Sequence, residues 1–182
     1  MDTIYNKWRT VSSRIAYENK WMKIREDKVI RPDGREGLYG VIETAPSVYI
    51  VPLSEKEEIY LIGQFRYPTQ MASWEIPAGG SDNEDLMLAA KRELKEELGL
   101  ESGEMIKLGV SQQWNGLSNE IGSIFLAREL KEVGGNEQAE EGISAFCKIP
   151  LEDALALIRN GTISDSQTIT AVMMTLLYLK KI

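Results

Sequence analysis

The order of the predicted elements indicates an α/β (α+β) fold in which a mixed β-sheet is sandwiched between helices, with an antiparallel strand extension at the N-terminus. Strand patterns fill the first half of the chain, one helix pattern interrupts them, and two helix patterns follow the last strands. Helices placed between and after the strands can bury both faces of a sheet. A length of 182 residues suits one compact domain, or a core with a small extension.

The strand patterns are short apolar or alternating stretches bounded by turn residues. They cover residues 22–32, 38–44, 47–53, 59–65, 73–77, 105–113, 121–127 and 143–149. The first two flank a turn at Pro32–Gly34. Residues 47–53 and 59–65 are separated only by a charged segment, so we predict that they pair as a hairpin. We predict a loop at residues 78–83.

Three segments have the apolar spacing of helices, at residues 85–98, 151–158 and 166–180. The apolar stripe of the first consists of Leu86, Ala89, Ala90, Leu94 and Leu98. Gly99 follows this stripe at the place of a left-handed C-cap. Pro150 precedes the second helix, and proline is favoured at the start of a helix.

The composition excludes several classes of protein. The net charge is −7, which disfavours binding to duplex nucleic acid, because that binding depends on Lys and Arg. No apolar run approaches the roughly 20 residues that span a bilayer, so we expect no membrane association. Met1–Tyr5 lacks the basic and apolar regions of a signal peptide. The single cysteine, Cys147, excludes an intrachain disulfide and fits a reducing cytoplasm.

The chain contains no histidine. This excludes a Ser-His-Asp triad, a Cys-His pair and every zinc site with a histidine ligand. An acid–base catalyst must therefore be Asp, Glu, Lys, Tyr or Cys. A site rich in carboxylates selects hard cations, so we expect Mg²⁺, with Mn²⁺ as the alternative.

Glu93, Glu96 and Glu97 have the spacing that places three carboxylates on one face of the first predicted helix. A solvated acidic face is the common explanation of such a cluster. The context favours a metal site, because the helix follows a strand and a Pro-Ala-Gly-Gly turn, and Arg92 precedes the first glutamate. A glycine-containing turn lets the backbone approach a ligand closely.

The segment that ends at Leu100 resembles the Nudix box, G-x5-E-x7-R-E-U-x-E-E-x-G-U, in which U is apolar. The match is complete from Glu84 onward, through Arg92, the three glutamates and Gly99. Ala78 stands where the pattern opens with glycine, and Gly79 is one residue too close to Glu84. The loop before the helix is therefore predicted to be one residue short.

The resemblance implies roles for residues of the box. Glu93 and Glu97 correspond to the principal metal ligands, and Glu96 corresponds to an additional ligand. The Ala78 carbonyl corresponds to a backbone ligand. Glu84 and Arg92 correspond to a structural pair that ties the loop to the helix.

The resemblance extends to the ADP-ribose pyrophosphatase and nucleoside-diphosphate-sugar branch of the family. The segments that carry it are Tyr17–Trp21, Pro32–Gly34, Gly63–Pro68, Trp74–Gly79 and Gly161–Asp165. It implies a Nudix hydrolase domain at residues 45–182. It also implies that the strand extension at residues 1–44 crosses to a partner, giving a homodimer whose active sites use both chains.

Five residues are candidates for contacts with the substrate. Arg66 suits a phosphate or ribose, because guanidinium groups bind phosphate in a bidentate manner, although a surface salt bridge is the alternative. Trp21 and Trp74 can stack on a base or sugar or pack in the core. Glu75 can bind substrate or metal or face solvent. Glu120 ends a loop that resembles the branch's sugar-contacting loop, with its proline and first serine replaced.

The general base is predicted to be a glutamate of the loop at residues 134–143. By its position in the resemblance, Glu141 fits best as base or metal ligand, followed by Glu140 and Glu137. Glu96 is the alternative base, and an ordinary solvated acidic loop is the alternative to a catalytic one.

The function implied by the resemblance is metal-dependent cleavage of a nucleoside-diphosphate sugar such as ADP-ribose to a nucleoside monophosphate and a sugar phosphate. One alternative is a Nudix hydrolase of another diphosphate: a nucleoside triphosphate, a dinucleoside polyphosphate or NADH. The other is a non-catalytic nucleotide-sugar sensor with the same fold.

Overall fold

The computed structural model describes residues 7–182. These residues form two compact units. One consists of the described residues up to Ala45 together with Gln112–Ile121, and the other consists of Pro46–Ser111 and Gly122–Ile182. Met1–Tyr5, where the sequence predicts no signal peptide, lie outside the described residues.

The elements follow the predicted order with two additional strands. The strands are β1 Arg9–Glu18, β2 Met22–Ile30, β3 Glu36–Thr44, β4 Ser47–Pro52, β5 Glu58–Arg66, β6 Met71–Glu75, β7 Ala78–Gly80, β8 Leu100–Gln112, β9 Ile121–Glu132 and β10 Ile143–Pro150. The helices are α1 Leu86–Leu98, α2 Leu151–Arg159 and α3 Ser166–Tyr178. The three predicted helices are confirmed. No helix within residues 7–182 combines the length and apolarity required to cross a bilayer.

The first unit is built on the antiparallel sheet β1-β2-β3. Strand β1 is not predicted from the sequence, because all ten of its residues are exposed and no buried alternation marks it. Pairing with β2 holds this strand, supported by an ion pair of 2.8 Å between Arg14 and Glu26. The loop at residues 113–120 binds the end of β3, since the N–H of Ile42 donates to the Leu117 carbonyl at 2.8 Å.

The second unit contains a mixed sheet, β7-β4-β9-β8, and an antiparallel sheet, β10-β5-β6. The predicted hairpin of residues 47–53 and 59–65 is wrong. Strand β4 pairs in parallel with β9 and β5 pairs with β10 and β6, so β4 and β5 share only the bridge between Leu53 and Ile59. Every residue of β4 is buried, and such a strand needs neighbours on both edges to satisfy its backbone.

The predicted loop at residues 78–83 begins instead with the short strand β7. Its residues pair with β4, with Tyr49 opposite Ala78 and Ser47 opposite Gly80. Only Ser81–Asn83 remain as a turn before α1. The start of the Nudix box is therefore part of the mixed sheet, which fixes its backbone.

Helices cover both faces of the mixed sheet, as the sequence predicts. Alternate residues of β4 point to opposite faces. Val48 and Ile50 pack with α1 residues, while Tyr49 and Val51 pack with residues of α2 and α3. The α1 residues in this core are Ala89, Ala90 and Leu94; those of α2 and α3 are Leu151, Ala154, Ala171, Val172 and Leu176.

Both ends of α1 are capped, by Asp85 at the start and by the predicted Gly99 at the end. The Asp85 carboxylate accepts hydrogen bonds from the N–H groups of Met87 and Leu88 at 2.9 and 3.2 Å. These bonds satisfy donors that the first helical turn leaves unpaired. At the other end Gly99 has a φ of 65°, which a residue with a side chain adopts only with strain.

Candidate active site

The loop between β7 and α1 closes through a tight turn. The N–H of Glu84 donates to the Ser81 carbonyl at 2.7 Å, and Asp82 and Asn83 between them have φ values of 48° and 66°. Asp and Asn tolerate this left-handed region better than other residues with side chains. This tight turn lets the chain pass from β7 to α1 with one residue fewer than the Nudix box pattern has.

Arg92 connects this turn to the acidic face of α1. Its Nε donates to Glu84 at 2.7 Å, and its Nη2 donates to the Gly80 carbonyl at 2.9 Å. Its Nη1 donates to Glu93 at 2.7 Å and to Glu96 at 2.8 Å. Although burial lowers the pKa of Arg92, the contacts with these carboxylates raise it well above the usual value. The guanidinium thus partly compensates the charge of two of the three box glutamates.

Glu97 lies deeper than the other two box glutamates. It is 3% exposed, and its Oε2 accepts a hydrogen bond of 3.0 Å from the Ala78 N–H. Burial raises the pKa of Glu97 to about 8. The hydrogen bond from Ala78 lowers this pKa, whereas the charges of Glu93 and Glu141 raise it further. An isolated carboxylate is costly to ionise in such a place, whereas one facing a bound cation is not.

Glu93 is 7% exposed and lies against the backbone of β7. Burial raises the pKa of its carboxyl to about 6, against the effect of Arg92 and with a contribution from Glu96. A Cβ atom at Gly79 would overlap the Glu93 carboxylate, whereas one at Gly80 would meet only Asp82 at 3.8 Å. Gly79 is therefore the position that lets the carboxylate approach the strand.

Arg66 and Glu75 form a second polar group beside Glu97. Two nitrogens of the guanidinium, Nε and Nη2, donate to the two oxygens of Glu75, which is 6% exposed. The hydrogen bonds to Glu75 raise the pKa of Arg66 against the effect of burial, and the charges of Asp165 and Glu97 add to the rise. In this structure Arg66 therefore forms a salt bridge, which is the predicted alternative to a contact with the substrate.

Trp74 is half-buried and packs against the core cluster below β5. A Cβ atom at Gly63 would lie 3.3 Å from its ring. The ring therefore lies directly over the Gly63 backbone, which matches the core-packing alternative for this residue. A contact between Trp74 and the substrate stays a prediction.

The acidic loop after β9 is fastened to the C-terminal end of α1. The N–H of Glu137 donates to the Glu96 carbonyl at 2.6 Å, and the Gln138 side-chain amide donates to the Glu97 carbonyl at 2.7 Å. Glu141 follows on this loop, and its charge raises the pKa of both Glu93 and Glu97. The contact of Gln138 with α1 is not predicted from the sequence, because no local pattern shows that this side chain reaches another element.

Trp21 and Glu120 belong to the first unit. Trp21 is 72% exposed, and Lys20 Nζ lies 4.2 Å from its ring centroid. Glu120 lines a small polar recess of about 130 Å³ in the loop before β9. The other residues that line the recess are Gln112, Asn115, Ser118, Asn119 and Ile121. Contacts of Trp21 and Glu120 with a substrate stay predictions.

The residues around α1 suit a hard divalent cation chemically, although their side chains do not converge on one point. Within residues 7–182, no three Asp, Glu or Cys side chains form a ready ligand set. Arg92 holds Glu93 and Glu96, and Ala78 holds Glu97. Carboxylate oxygens are preferred by Mg²⁺ and Mn²⁺, and a bound cation would offset the burial, and the repulsion between carboxylates, that raise the pKa values of Glu93 and Glu97.

The raised pKa values predict that the metal-free protein loses stability as the pH rises. Glu97 and Glu93 move from an ordinary pKa of 4.5 to about 8 and about 6. Their stabilising contribution is complete below pH 4.5 and is lost as the pH rises to about 8, because ionisation then opposes folding. We expect the melting temperature in EDTA to fall by several degrees over this window, since about 1 kcal/mol corresponds to roughly 2–4 °C here.

Thermal melts of the wild type, Glu97→Gln and Glu104→Gln test this expectation. The amide of Glu97→Gln cannot ionise, so its melting temperature should fall less with pH. Glu104→Gln replaces an exposed glutamate and should follow the wild type. Equal pH dependence in all three proteins would contradict the assignment of the effect to Glu97.

Comparison with known proteins gives the same family along nearly the whole chain. Residues 8–42 match the nucleoside diphosphate sugar hydrolase N-terminal domain, and residues 43–171 match the NUDIX domain. The chain is 31% identical to the ADP-ribose pyrophosphatase of Mycobacterium tuberculosis (strain ATCC 25618 / H37Rv) over 91% of its own length and 82% of that protein. It is 26% identical to the ADP-ribose pyrophosphatase of Bacillus subtilis (strain 168), with 90% of each chain covered.

A solved structure described as an ADP compounds hydrolase shares the fold. It superposes with a TM-score of 0.85 at 19% identity, covering 96% of this chain and 95% of that one. This likeness confirms the expected Nudix fold. Together with the family matches, it shows that the chain belongs to the Nudix family, in its ADP-ribose and nucleoside-diphosphate-sugar branch, and that it is a hydrolase of pyrophosphate bonds.

Proposed function

We propose that the protein is a metal-dependent hydrolase that cleaves the diphosphate of nucleoside-diphosphate sugars such as ADP-ribose. Its products are a nucleoside monophosphate and a sugar phosphate. The observation that carries this proposal is the pair of buried carboxylates on α1, Glu93 and Glu97, beside a guanidinium held by Glu75. The names of the relatives support the substrate class.

Glu93, Glu96 and Glu97 would hold Mg²⁺ or Mn²⁺, with the Ala78 carbonyl and Glu141 as further ligands. A cation bound there neutralises charge on the diphosphate and makes a bound water more acidic. Arg92 would have to release Glu93 and Glu96 for this ligation, and it remains anchored to the turn through Glu84. In this proposal Glu93 and Glu96 exchange their hydrogen bonds with Arg92 for ligation of the metal ion.

Arg66 binds a phosphate oxygen of the substrate in this proposal. Glu75 engages Nε and Nη2, which fixes the plane of the guanidinium and leaves Nη1 outside this ion pair. A cation fixed in this way loses little conformational entropy when it binds a phosphate. Glu75 then acts by orienting Arg66.

Glu141 is the general base in this proposal. It accepts a proton from the attacking water, whose oxygen forms a bond to one phosphorus as the bridging oxygen leaves. Its charge acts on both Glu93 and Glu97, which supports a position close to them. Glu96 is the weaker candidate, because its carboxylate oxygen accepts a hydrogen bond from Arg92 in this structure. Glu137 and Glu140 lie on the same loop and remain alternatives.

Another Nudix substrate and a non-catalytic sensor are the competing functions. The match of residues 8–42 to a nucleoside diphosphate sugar hydrolase domain favours the sugar substrates over nucleoside triphosphates, dinucleoside polyphosphates and NADH. A sensor does not require the box glutamates, and all three are present. Turnover that requires a metal would exclude the sensor.

A substrate panel tests the proposed function. The purified protein is incubated with Mg²⁺ and, separately, with ADP-ribose, GDP-mannose, ATP and NADH, and products are identified by chromatography. We expect nucleoside monophosphate from the nucleotide sugars, and a loss of kcat of about 100-fold or more in Glu97→Gln. Activity confined to ATP or NADH would contradict the substrate class, and near-normal turnover by Glu97→Gln would contradict the role of that residue.

Substitutions of two neighbouring glycines test the position of Glu93. Gly79→Ala should displace the Glu93 carboxylate and reduce kcat by roughly 10- to 100-fold, since small misplacements of catalytic groups are costly. Gly80→Ala adds the same methyl group one residue later, where it meets no close neighbour, and should keep wild-type activity. Equal kcat values with equal melting temperatures would refute this role of Gly79.

The N-terminal strands, residues 1–44, form the dimer contact in this proposal, and residues 45–182 form the hydrolase domain. Within the described residues β1 is the edge of its sheet, and Val11, Ile15 and Tyr17 on it are 57%, 47% and 51% exposed. Proteins rarely leave an apolar edge strand uncovered, because it can pair with another chain.

Analytical ultracentrifugation tests the dimer. The wild type should sediment as a homodimer at micromolar concentration. Val11→Lys together with Ile15→Lys should shift it toward the monomer, because a charge would be buried in the contact. Glu55→Lys, at an exposed turn of the other unit, serves as the control and should remain dimeric. A monomeric wild type would disprove the proposal.

A further inference from the structure

The segment Glu75–Ala78 connects two polar groups of the candidate site. Glu75 at its start holds Arg66, and the N–H of Ala78 at its end holds the carboxylate of Glu97. The Pro77 carbonyl between them accepts a hydrogen bond of 2.9 Å from Ile50 in β4. The path of this short segment therefore sets the position of both polar groups.

One contact reaches this segment from a distant part of the chain. The N–H of Ile76 donates to the side-chain oxygen of Thr168 at 3.1 Å, across a sequence separation of 92 residues. Ile76 is 1% exposed and Thr168 is 0% exposed, so water cannot replace this bond. A buried N–H that loses its acceptor is costly, and the backbone moves to find another partner.

Thr168 is itself held in place by the start of α3. It is the third residue of this helix, and its N–H donates to the N-cap carboxylate of Asp165 at 2.7 Å. The charge of the same carboxylate also acts on Arg66. The N-terminal turn of α3 thus contacts the Glu75–Ala78 segment by a hydrogen bond and acts on Arg66 by its charge.

We infer that Thr168 is a positioning residue for pyrophosphate hydrolysis. Its hydroxyl oxygen fixes the Ile76 backbone and thereby aligns Arg66 and the Glu97 carboxylate. This inference rests on the proposed function of those two residues. Thr168 itself lies in the core and does not touch the substrate. Its effect passes through the backbone of residues 75–78.

Thr175 provides a matched control on the same helix. It is also 0% exposed, and its hydroxyl donates to the Ala171 carbonyl at 2.9 Å, within α3. Replacing either threonine with valine removes one buried hydroxyl and keeps the branched shape. Only the change at position 168 removes an acceptor from the Glu75–Ala78 segment.

The experiment compares Thr168→Val, Thr168→Ser, Thr168→Cys and Thr175→Val with the wild type at a temperature where all are folded. Serine keeps the oxygen that accepts from Ile76, and cysteine replaces that oxygen with sulfur, a weak acceptor. We expect kcat for ADP-ribose to fall about tenfold or more in the valine and cysteine variants at position 168, by misalignment. Thr168→Ser and Thr175→Val should keep kcat within about twofold of the wild type, since their site contacts are unchanged.

Two readouts do not depend on turnover. Amide hydrogen exchange of Ile76 and Ala78 should be faster in Thr168→Val than in Thr175→Val. The affinity for Mn²⁺, measured by electron paramagnetic resonance, should also be lower in Thr168→Val, because the Ala78 N–H no longer holds Glu97 in place. A change in kcat that only followed the melting temperature would assign Thr168 to stability alone.

The outcomes separate this inference from the proposed function. If the wild type cleaves no diphosphate but Thr168→Val still loses Mn²⁺ affinity and Ile76 protection, the proposed function fails, while the alignment of the Glu97 carboxylate through the Ile76 backbone stands. If Thr168→Val behaves like Thr175→Val in all three measurements, the positioning role is overturned while hydrolysis by the wild type stands. Should Thr168→Val not fold, the comparison of Thr168→Ser with Thr168→Cys decides.

Discussion

Burial of the Glu97 carboxylate between α1 and β7 is the constraint on which the candidate site depends. A single backbone N–H, that of Ala78, binds this carboxylate, and burial raises its pKa to about 8. The interior therefore disfavours its charge unless a cation is present. To hold the carboxylate there, the fold must fix β7, the end of β6 and α1 relative to one another. The end of β6 and β7 pack against the core on one face of the mixed sheet, and α1 packs in the core on the other face.

Arg92 compensates part of the charge that three glutamates place on one face of α1. Arg92 bonds to Glu93 and Glu96, and its other nitrogens bond to Glu84 and to the Gly80 carbonyl. One guanidinium thus closes the turn and compensates part of the negative charge on this face of the helix. Glu93 and Glu96 can exchange Arg92 for a divalent cation without opening the turn, because Arg92 also bonds to Glu84 and the Gly80 carbonyl.

The sequence predicts the element order, the three helices and the residues of the acidic face. These succeed because helical spacing, caps and the Nudix box are local patterns. It does not predict β1, whose residues are all exposed, and it pairs β4 with β5 although each prefers partners far away in the chain. It also misses Gln138 and Thr168, since their contacts with α1 and the Glu75–Ala78 segment join residues that are distant in sequence.

The sequence by itself determined the family, the carboxylate chemistry and the identity of the box residues, because each depends on which side chains stand at short, regular spacings. Only the tertiary structure decided how those carboxylates are balanced. Arg66 meets Glu75 because β5 pairs with β6, and Ala78 meets Glu97 because β7 joins the sheet beneath α1. Strand register and core packing set these contacts, and both arise from long-range pairings that no local spacing records.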